Sequence, residues 1–199
     1  MNISKINPQI NFQKTLCAKA KVLKDNKPYD VNIYKLDNKN DDVEFVRAKN
    51  NPLWARDYYL KELWADFCCF VDDGLEFYEM ESDDLHQPIC FVESIPDLEH
   101  QNVTYIETAP QLSTYNKQNR KYKYIGQTML SFFAGLCQRN IQDLKICDVE
   151  DREDTKKFYF SLCGMEELPP NNAILRYEKL DAFVNSNAKN TGSEIEYVV

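Results

Sequence analysis

Met129, Phe132, Phe133, Leu136 and Cys137 fall at helical spacing along one side of the segment from Ile125 to Arg139, and Gln127, Ser131 and Gln138 occupy the other side. A helix with one apolar stripe must lie against something that hides that stripe. Its surroundings say what. Val103 to Thr108 (VTYIET) precedes it, and Leu144 to Val149 and Ala173 to Glu178 follow it, all short runs rich in β-favouring residues. A second helical run, at about Asp154 to Cys163, separates the last two. Strand, loop, helix, strand, helix, strand predicts a sheet with helices packed on it, an α/β class of fold.

The first half supplies more of the same sheet. Residues 15 to 36 read as a hairpin turning at Lys24 to Pro28. Helical runs begin at Asp41 and again after Asn50-Asn51-Pro52, the second carrying Trp54, Tyr58, Leu60, Leu63, Trp64 and Phe67. Leu75 to Glu81 and Pro88 to Ile95 form another pair of strands around Ser82-Asp83-Asp84. No repeat or low-complexity linker divides the chain, so residues 1–183 are expected to form one domain and 184–199 a loose, polar extension, with docking back of its last three apolar residues as the alternative.

Charge narrows the function classes. The 199 residues carry a formal charge of −8, which repels phosphate nearly everywhere, so nucleic acid is not an expected partner. No apolar run is long enough to span a membrane, and Met1 to Gln13 lacks the apolar block of an export signal, so a cytoplasmic protein is expected. The seven Cys form no C-x-x-C pair and suit reduced thiols. His86 and His100 are the only histidines, which leaves a zinc site or a His-based triad few possible members, and no metal is expected.

One segment runs against the acidic background. Lys117, Arg120, Lys121 and Lys123 place four positive charges in a stretch without acids, and this loop leads directly into the helix whose second residue is Gly126. A helix start offers unpaired amides and a positive dipole end, so the pair of features fits an anion such as a phosphate. The plainer reading, a solvated loop with a glycine easing its turn, stands beside it.

This arrangement resembles the GNAT superfamily of N-acetyltransferases. The family's phosphate-binding phrase [QR]-x-x-G-x-[GA] corresponds here to Lys121, Tyr122, Lys123, Tyr124, Ile125 and Gly126, with Lys in place of Gln or Arg and Tyr124 in place of the first Gly. The family's F-Y-x-x-x-G-F phrase corresponds to Phe158 through Met165, with one extra residue. The resemblance, over roughly Val31 to Glu178, implies a mixed, mostly antiparallel central sheet flanked by about four helices. It also implies acetyl-coenzyme A as cosubstrate and direct attack on the thioester by an amine in a ternary complex, with no covalent enzyme intermediate.

The same resemblance assigns roles. Ile106, Thr108, Lys121, Tyr122, Lys123, Tyr124, Ile125, Gly126, Gln127 and Thr128 would hold the coenzyme. The general acid would be Tyr159 if counted from the Phe-Tyr pair, whereas counting back from Gly164 reaches Phe160; Tyr159 is preferred, with an irregularity at Cys163 absorbing the extra residue. Glu107, sharing a strand face with Tyr105, is the first candidate for the base that deprotonates the amine, and Glu93 the second. Tyr58 and Tyr59 are candidates for the wall of the acceptor site, and Asp72, Asp73, Glu76 and Glu79 for drawing in a cationic amine. Such aromatics also serve as core, and such acids as a solvated face. The alternative function is a catalytically inactive GNAT-fold module that senses coenzyme or binds protein. Neither the acceptor, whether small amine, amino acid or peptide amine, nor the oligomeric state is encoded in a recognisable motif.

Overall fold

The computed structural model describes residues 14–54, 59–82, 86–110, 112 and 122–198. Strands β1 (Thr15–Lys24) and β2 (Lys27–Leu36) form the opening hairpin. Its two turn residues, Asp25 and Asn26, both have positive φ, a geometry that short Asn and Asp side chains tolerate and that matches the twist of the paired strands. Helices α1 (Val43–Lys49) and α2 (Leu60–Phe70) follow. Then come β3 (Glu76–Ser82), β4 (Gln87–Pro96) and β5 (His100–Thr108), each antiparallel to its neighbour. A two-residue strand β6 (Tyr122–Lys123) pairs with the end of β1 and feeds helix α3 (Ile125–Asn140). After it run β7 (Asp143–Ile146), a short α4 (Glu153–Lys156), β8 (Glu166–Leu168), β9 (Asn172–Leu175), α5 (Tyr177–Thr191) and β10 (Glu196–Tyr197).

The sheet order is β10-β1-β2-β3-β4-β5-β7-β9-β8, with β6 beside β1. Only β5 and β7 pair in parallel among the described strands. Both faces of the central strands are buried, because alternate residues meet different helices. On one side Phe91 stacks on Phe45 of α1 at 4.5 Å, and Phe77 meets Phe67 of α2 edge-on at 5.2 Å. On the other, Tyr78 lies 5.5 and 5.1 Å from Phe132 and Phe133 of α3. The apolar stripe read in the sequence is thus the face α3 presents to the sheet.

Three expectations require adjustment. The strand expected at Leu144 to Val149 is shorter, since it separates from β5 after Ile146. The strand expected at Ala173 to Glu178 stops at Leu175, because Tyr177 begins α5. The tail is not loose: α5 runs through position 183, and β10 adds a strand to β1, pairing Tyr197 with Ala18. There the Tyr197 hydroxyl donates to the Phe132 carbonyl at 2.9 Å, and a Cβ at Gly135 would stand 1.8 Å from that hydroxyl oxygen. Gly135 is therefore the gap in α3 that admits Tyr197. Arg139, one turn on, lays its guanidinium 4.0 Å over the same ring.

Candidate active site

The site begins where the sheet divides. His100 to Val103 pair with Asp143 to Ile146, and the last bond between the two chains runs from the Cys147 amide to the Val103 carbonyl at 2.9 Å. At the same level β5 changes register with β4: Glu93 faces Tyr105 but Ser94 faces Val103, leaving Thr104 as a bulge. Beyond it β5 stays with β4 and parts from β7. The Ala109 amide donates to the Ile89 carbonyl at 3.0 Å, so by alternation Glu107 and Tyr105 direct their main-chain groups to β4, and Ile106 and Thr108 direct theirs to the opened side. An extended ligand arm finds there a strand edge ready for pairing.

Helix α3 starts directly after β6, with Phe158 beside its first turn. Its cap, Tyr124, has φ 68° and ψ 13°, the left-handed conformation that ordinarily favours glycine, and its side chain makes no capping hydrogen bond. The position where the resemblance expects a glycine is thus a tyrosine with a glycine-like backbone geometry. The first-turn amides of Ile125, Gly126 and Gln127 have no carbonyl one turn earlier to bond. The Thr128 amide is already committed to the Tyr124 carbonyl at 2.8 Å, and the Thr128 hydroxyl, fully buried, donates to the Lys21 carbonyl at 3.3 Å. Thr128 is therefore an internal strut, not a ligand contact.

Gly126 also differs from expectation. A Cβ there would come within 3.2 Å of the Phe158 ring, so its missing side chain makes room for the protein's own phenylalanine. Tyr122 is buried beside Tyr29, ring centroids 5.7 Å apart, and the Lys123 ammonium is held by the Asn26 side chain at 2.6 Å. Lys24, which the sequence reading left aside, sets its ammonium over both rings, at 4.5 Å from Tyr29 and 5.3 Å from Tyr122. Lys121 and the rest of the basic loop lie outside the described residues, as does Tyr58.

The extra residue in the Phe-Tyr phrase is taken up by a π-helical turn, Lys157–Leu162, which continues α4 and ends where the Cys163 amide reaches the Phe158 carbonyl at 3.0 Å. A one-residue insertion in a helix produces this widened turn. The irregularity thus falls before Cys163, not at it. It turns Tyr159 inward, where it is 6% exposed and meets Phe158 edge-on at 5.0 Å. Phe160 is half-buried against the core and also lines a shallow surface hollow with Glu153, Lys157 and Ser161. Burial raises the Tyr159 phenol well above its ordinary value, and the Cys163 and Cys90 thiols and the Glu107 carboxylate add to the rise. Cys163, hydrogen-bonded to the Gln127 side chain, is itself pushed up to about 12 by burial. Tyr159 and Glu107 consequently share one electrostatic neighbourhood, a convergence of two residues 52 positions apart in the chain.

Around Glu107 stands a cup of tyrosines and acids. The Tyr59 hydroxyl donates to Glu150 at 3.3 Å, the Tyr105 hydroxyl to Glu62 at 3.4 Å, and the two rings lie 6.2 Å apart. The Tyr59 phenol is raised chiefly by Glu150, with burial, Glu107 and Glu62 contributing. Glu62 and Glu150 were not singled out in the sequence; the signal for Glu150 was an acid directly after β7. Glu93 lies on the same sheet face, accepts the Thr104 hydroxyl at 2.5 Å, and has its carboxyl raised by burial. The acids proposed to attract an amine are elsewhere: Asp72 pairs with Lys39 at 3.0 Å, Glu76 with Lys35 at 2.8 Å, and Glu79 is sealed beneath α1 with Lys14.

No protein-family model and no curated protein sequence matches this chain. Solved structures do. AtaTR bound with AcCoA superposes with a TM-score of 0.52 at 13% identity, over 76% of this chain and 96% of that one. A putative acetyltransferase of the GNAT family from Desulfovibrio desulfuricans gives 0.50 at 13% identity, over 74% and 99%. The chain has the GNAT fold. An uncharacterized protein, bh2621, from Bacillus halodurans gives 0.51 at 12% identity, over 88% and 99%. In that fold β1 to β5 with α1 and α2 make the first half of the sheet, and α3, β7 and β9 continue it.

Proposed function

We propose that the protein is an acetyl-coenzyme A-dependent N-acetyltransferase that acylates a primary amine by direct attack. The observation that carries this reading is the parting of β5 from β7 beside a bulge, in a chain that also has a helix start whose cap keeps a left-handed backbone. That geometry suits a long, phosphate-bearing thioester: Ile106 and Thr108 offer main-chain groups to the pantetheine arm, and the Ile125 to Gln127 amides face the pyrophosphate. The residues present fit the group.

Acetyl-coenzyme A supplies an activated acyl carbon and a thiolate leaving group. The chain's own residues must place the amine and move two protons. Tyr59, Tyr105 and the carboxylates of Glu62 and Glu150 form the acceptor wall, and their negative potential favours a cationic amine. Glu107, on the same wall, takes the proton that the amine must lose before it is a nucleophile. Tyr159, kept protonated by its buried position, gives a proton to the departing thiolate. Tyr159 has the hydroxyl that this role needs, and Phe160 does not.

Titration with acetyl-coenzyme A, read by thermal shift, is expected to stabilise the chain, and an amine screen read by free thiol release is expected to find turnover. In the active assay Tyr159→Phe should lower kcat by about 100-fold with coenzyme affinity unchanged, the size of a lost general acid. Binding without turnover across diamines, amino acids and peptides would favour the inactive sensing module instead. Absence of any shift at millimolar coenzyme would overturn both.

A further inference from the structure

Away from the cleft, three carboxylates meet inside the protein. Glu79 and Glu81 are two residues apart on β3 and so share a face, and Glu44 reaches them from α1. All three are buried, and one oxygen from each lies within 4.8 Å of the others. Lys14, just ahead of β1, places its ammonium among them: it pairs with Glu79 and Glu81 and stands 3.5 Å from Glu44. Arg47 closes one side, 2.6 Å from Glu44 and 4.0 Å from Glu81.

Two features of this cage are not explained by Lys14. The first is charge: were all three ionised, three carboxylates would face two permanent cations, one negative charge more than Lys14 and Arg47 balance. The second is an orphaned atom. Glu79 is 0% exposed, one of its oxygens takes the Lys14 ammonium, and the other is buried with no hydrogen-bond partner. A fully buried carboxylate oxygen without a partner is costly to maintain.

We propose that the Glu44, Glu79 and Glu81 cage is a site for a hard divalent cation of the Mg2+, Mn2+ and Ca2+ class, in which Lys14 acts as a tethered competitor. A dication in place of the ammonium balances the three carboxylates together with Arg47 and engages the orphaned Glu79 oxygen. The donors are all carboxylate oxygens, which selects hard cations over the soft metals that thiols and imidazoles hold. An entry route is present as well. The Lys14 side chain is 14% exposed, and His86, whose Nδ1 is 3.6 Å from Glu81, is 77% exposed, so the solvent side of the cage is reached by moving one lysine.

The test is titration of the full chain with Mn2+, following free Mn2+ by electron paramagnetic resonance, with circular dichroism to verify folding. One ion per chain is expected in the wild type. Lys14→Ala should tighten binding at least tenfold, and Glu79→Gln should weaken it at least tenfold. Should Lys14→Ala fail to fold, the wild type against Glu79→Gln still decides, because the glutamine keeps the volume and removes the charge. No binding by the wild type at about 10 mM Mn2+, weaker than the weakest carboxylate sites, would overturn the proposal. Binding that Glu79→Gln leaves unchanged would do the same, since the ion would then sit on other acids.

Discussion

At position 135 the absence of a side chain is measurable as space. Gly135→Ala puts a methyl where the Tyr197 hydroxyl now stands, and overpacking of that severity costs about 1–3 kcal/mol. The expected outcome is a lowered Tm for Gly135→Ala, whereas Gly135→Ala added to Tyr197→Ala should cost nothing beyond Tyr197→Ala alone, because without the ring the methyl has nothing to clash with. Glu79 gives a prediction in pH. Burial pushes its carboxyl from an ordinary 4.5 up to about 8, with Glu44 and Glu81 adding to the rise and Lys14 opposing it. The native state therefore holds this proton more tightly than the unfolded chain does. Its contribution to stability is complete below the ordinary value and is lost as pH climbs through 8. Burial works to lower the Lys14 ammonium, but its carboxylate partners reverse this and hold it above its ordinary 10.5, so Lys14 is silent in that window. Between about pH 6 and about pH 9 the Tm of Glu79→Gln should fall less than that of the wild type; parallel curves would show that Glu79 does not titrate there.

Among the elements, the start of α3 carries the tightest local constraint. Tyr124 occupies a left-handed conformation that a β-branched side chain resists more strongly than a tyrosine does. Tyr124→Val is therefore expected to lose about 1 kcal/mol or more in urea unfolding, and Tyr124→Gly to stay within about 0.5 kcal/mol of the wild type, because relief of strain is offset by a freer unfolded chain. Equal loss in both would locate the role of Tyr124 in its ring contacts. This element also shows what local sequence reading reaches. The periodicity of Met129, Phe132 and Phe133 located α3 because packing imposes it directly. The resemblance put Tyr124 where a glycine is expected, but the φ of one residue is set by the chain entering from β6, which no local pattern announces. The π-turn is similar: the extra residue was countable, whereas its position depends on which ring, Phe158, must fill the space over Gly126. Glu62 and Glu150 went unread because what distinguishes them is a shared tyrosine wall, built from α2 and the loop after β7.

Across the whole molecule, seven of the ten described strands were legible; β6, β8 and β10, each only two or three residues long, were not, nor was the strand order. β5 meets β7 in parallel for four residues and departs from it next to the bulge at Thr104, a coincidence of two long-range pairings that no local pattern announces. The tail was legible only in composition: α5 is polar on its outer side, and the value of residues 195–197 lies in an edge of β1 far away in the chain. Removing residues 193–199 is expected to lower the Tm and the urea midpoint together, since it takes away the β10 pairing and the Tyr197 bonds to α3. An unchanged midpoint would mean that α5 alone seals that side.

The way β1 is covered has a further consequence during synthesis. Its outer margin is paired at Leu23 and Lys24 by residues 122–123 and at Ala18 and Lys19 by residues 196–197. A ribosome delivers β1 long before either cover, so for most of translation the nascent chain presents an open row of amides and carbonyls to its neighbours. Slow translation of the second half would lengthen that exposure, and crowded polysomes would be where this chain first sticks to copies of itself.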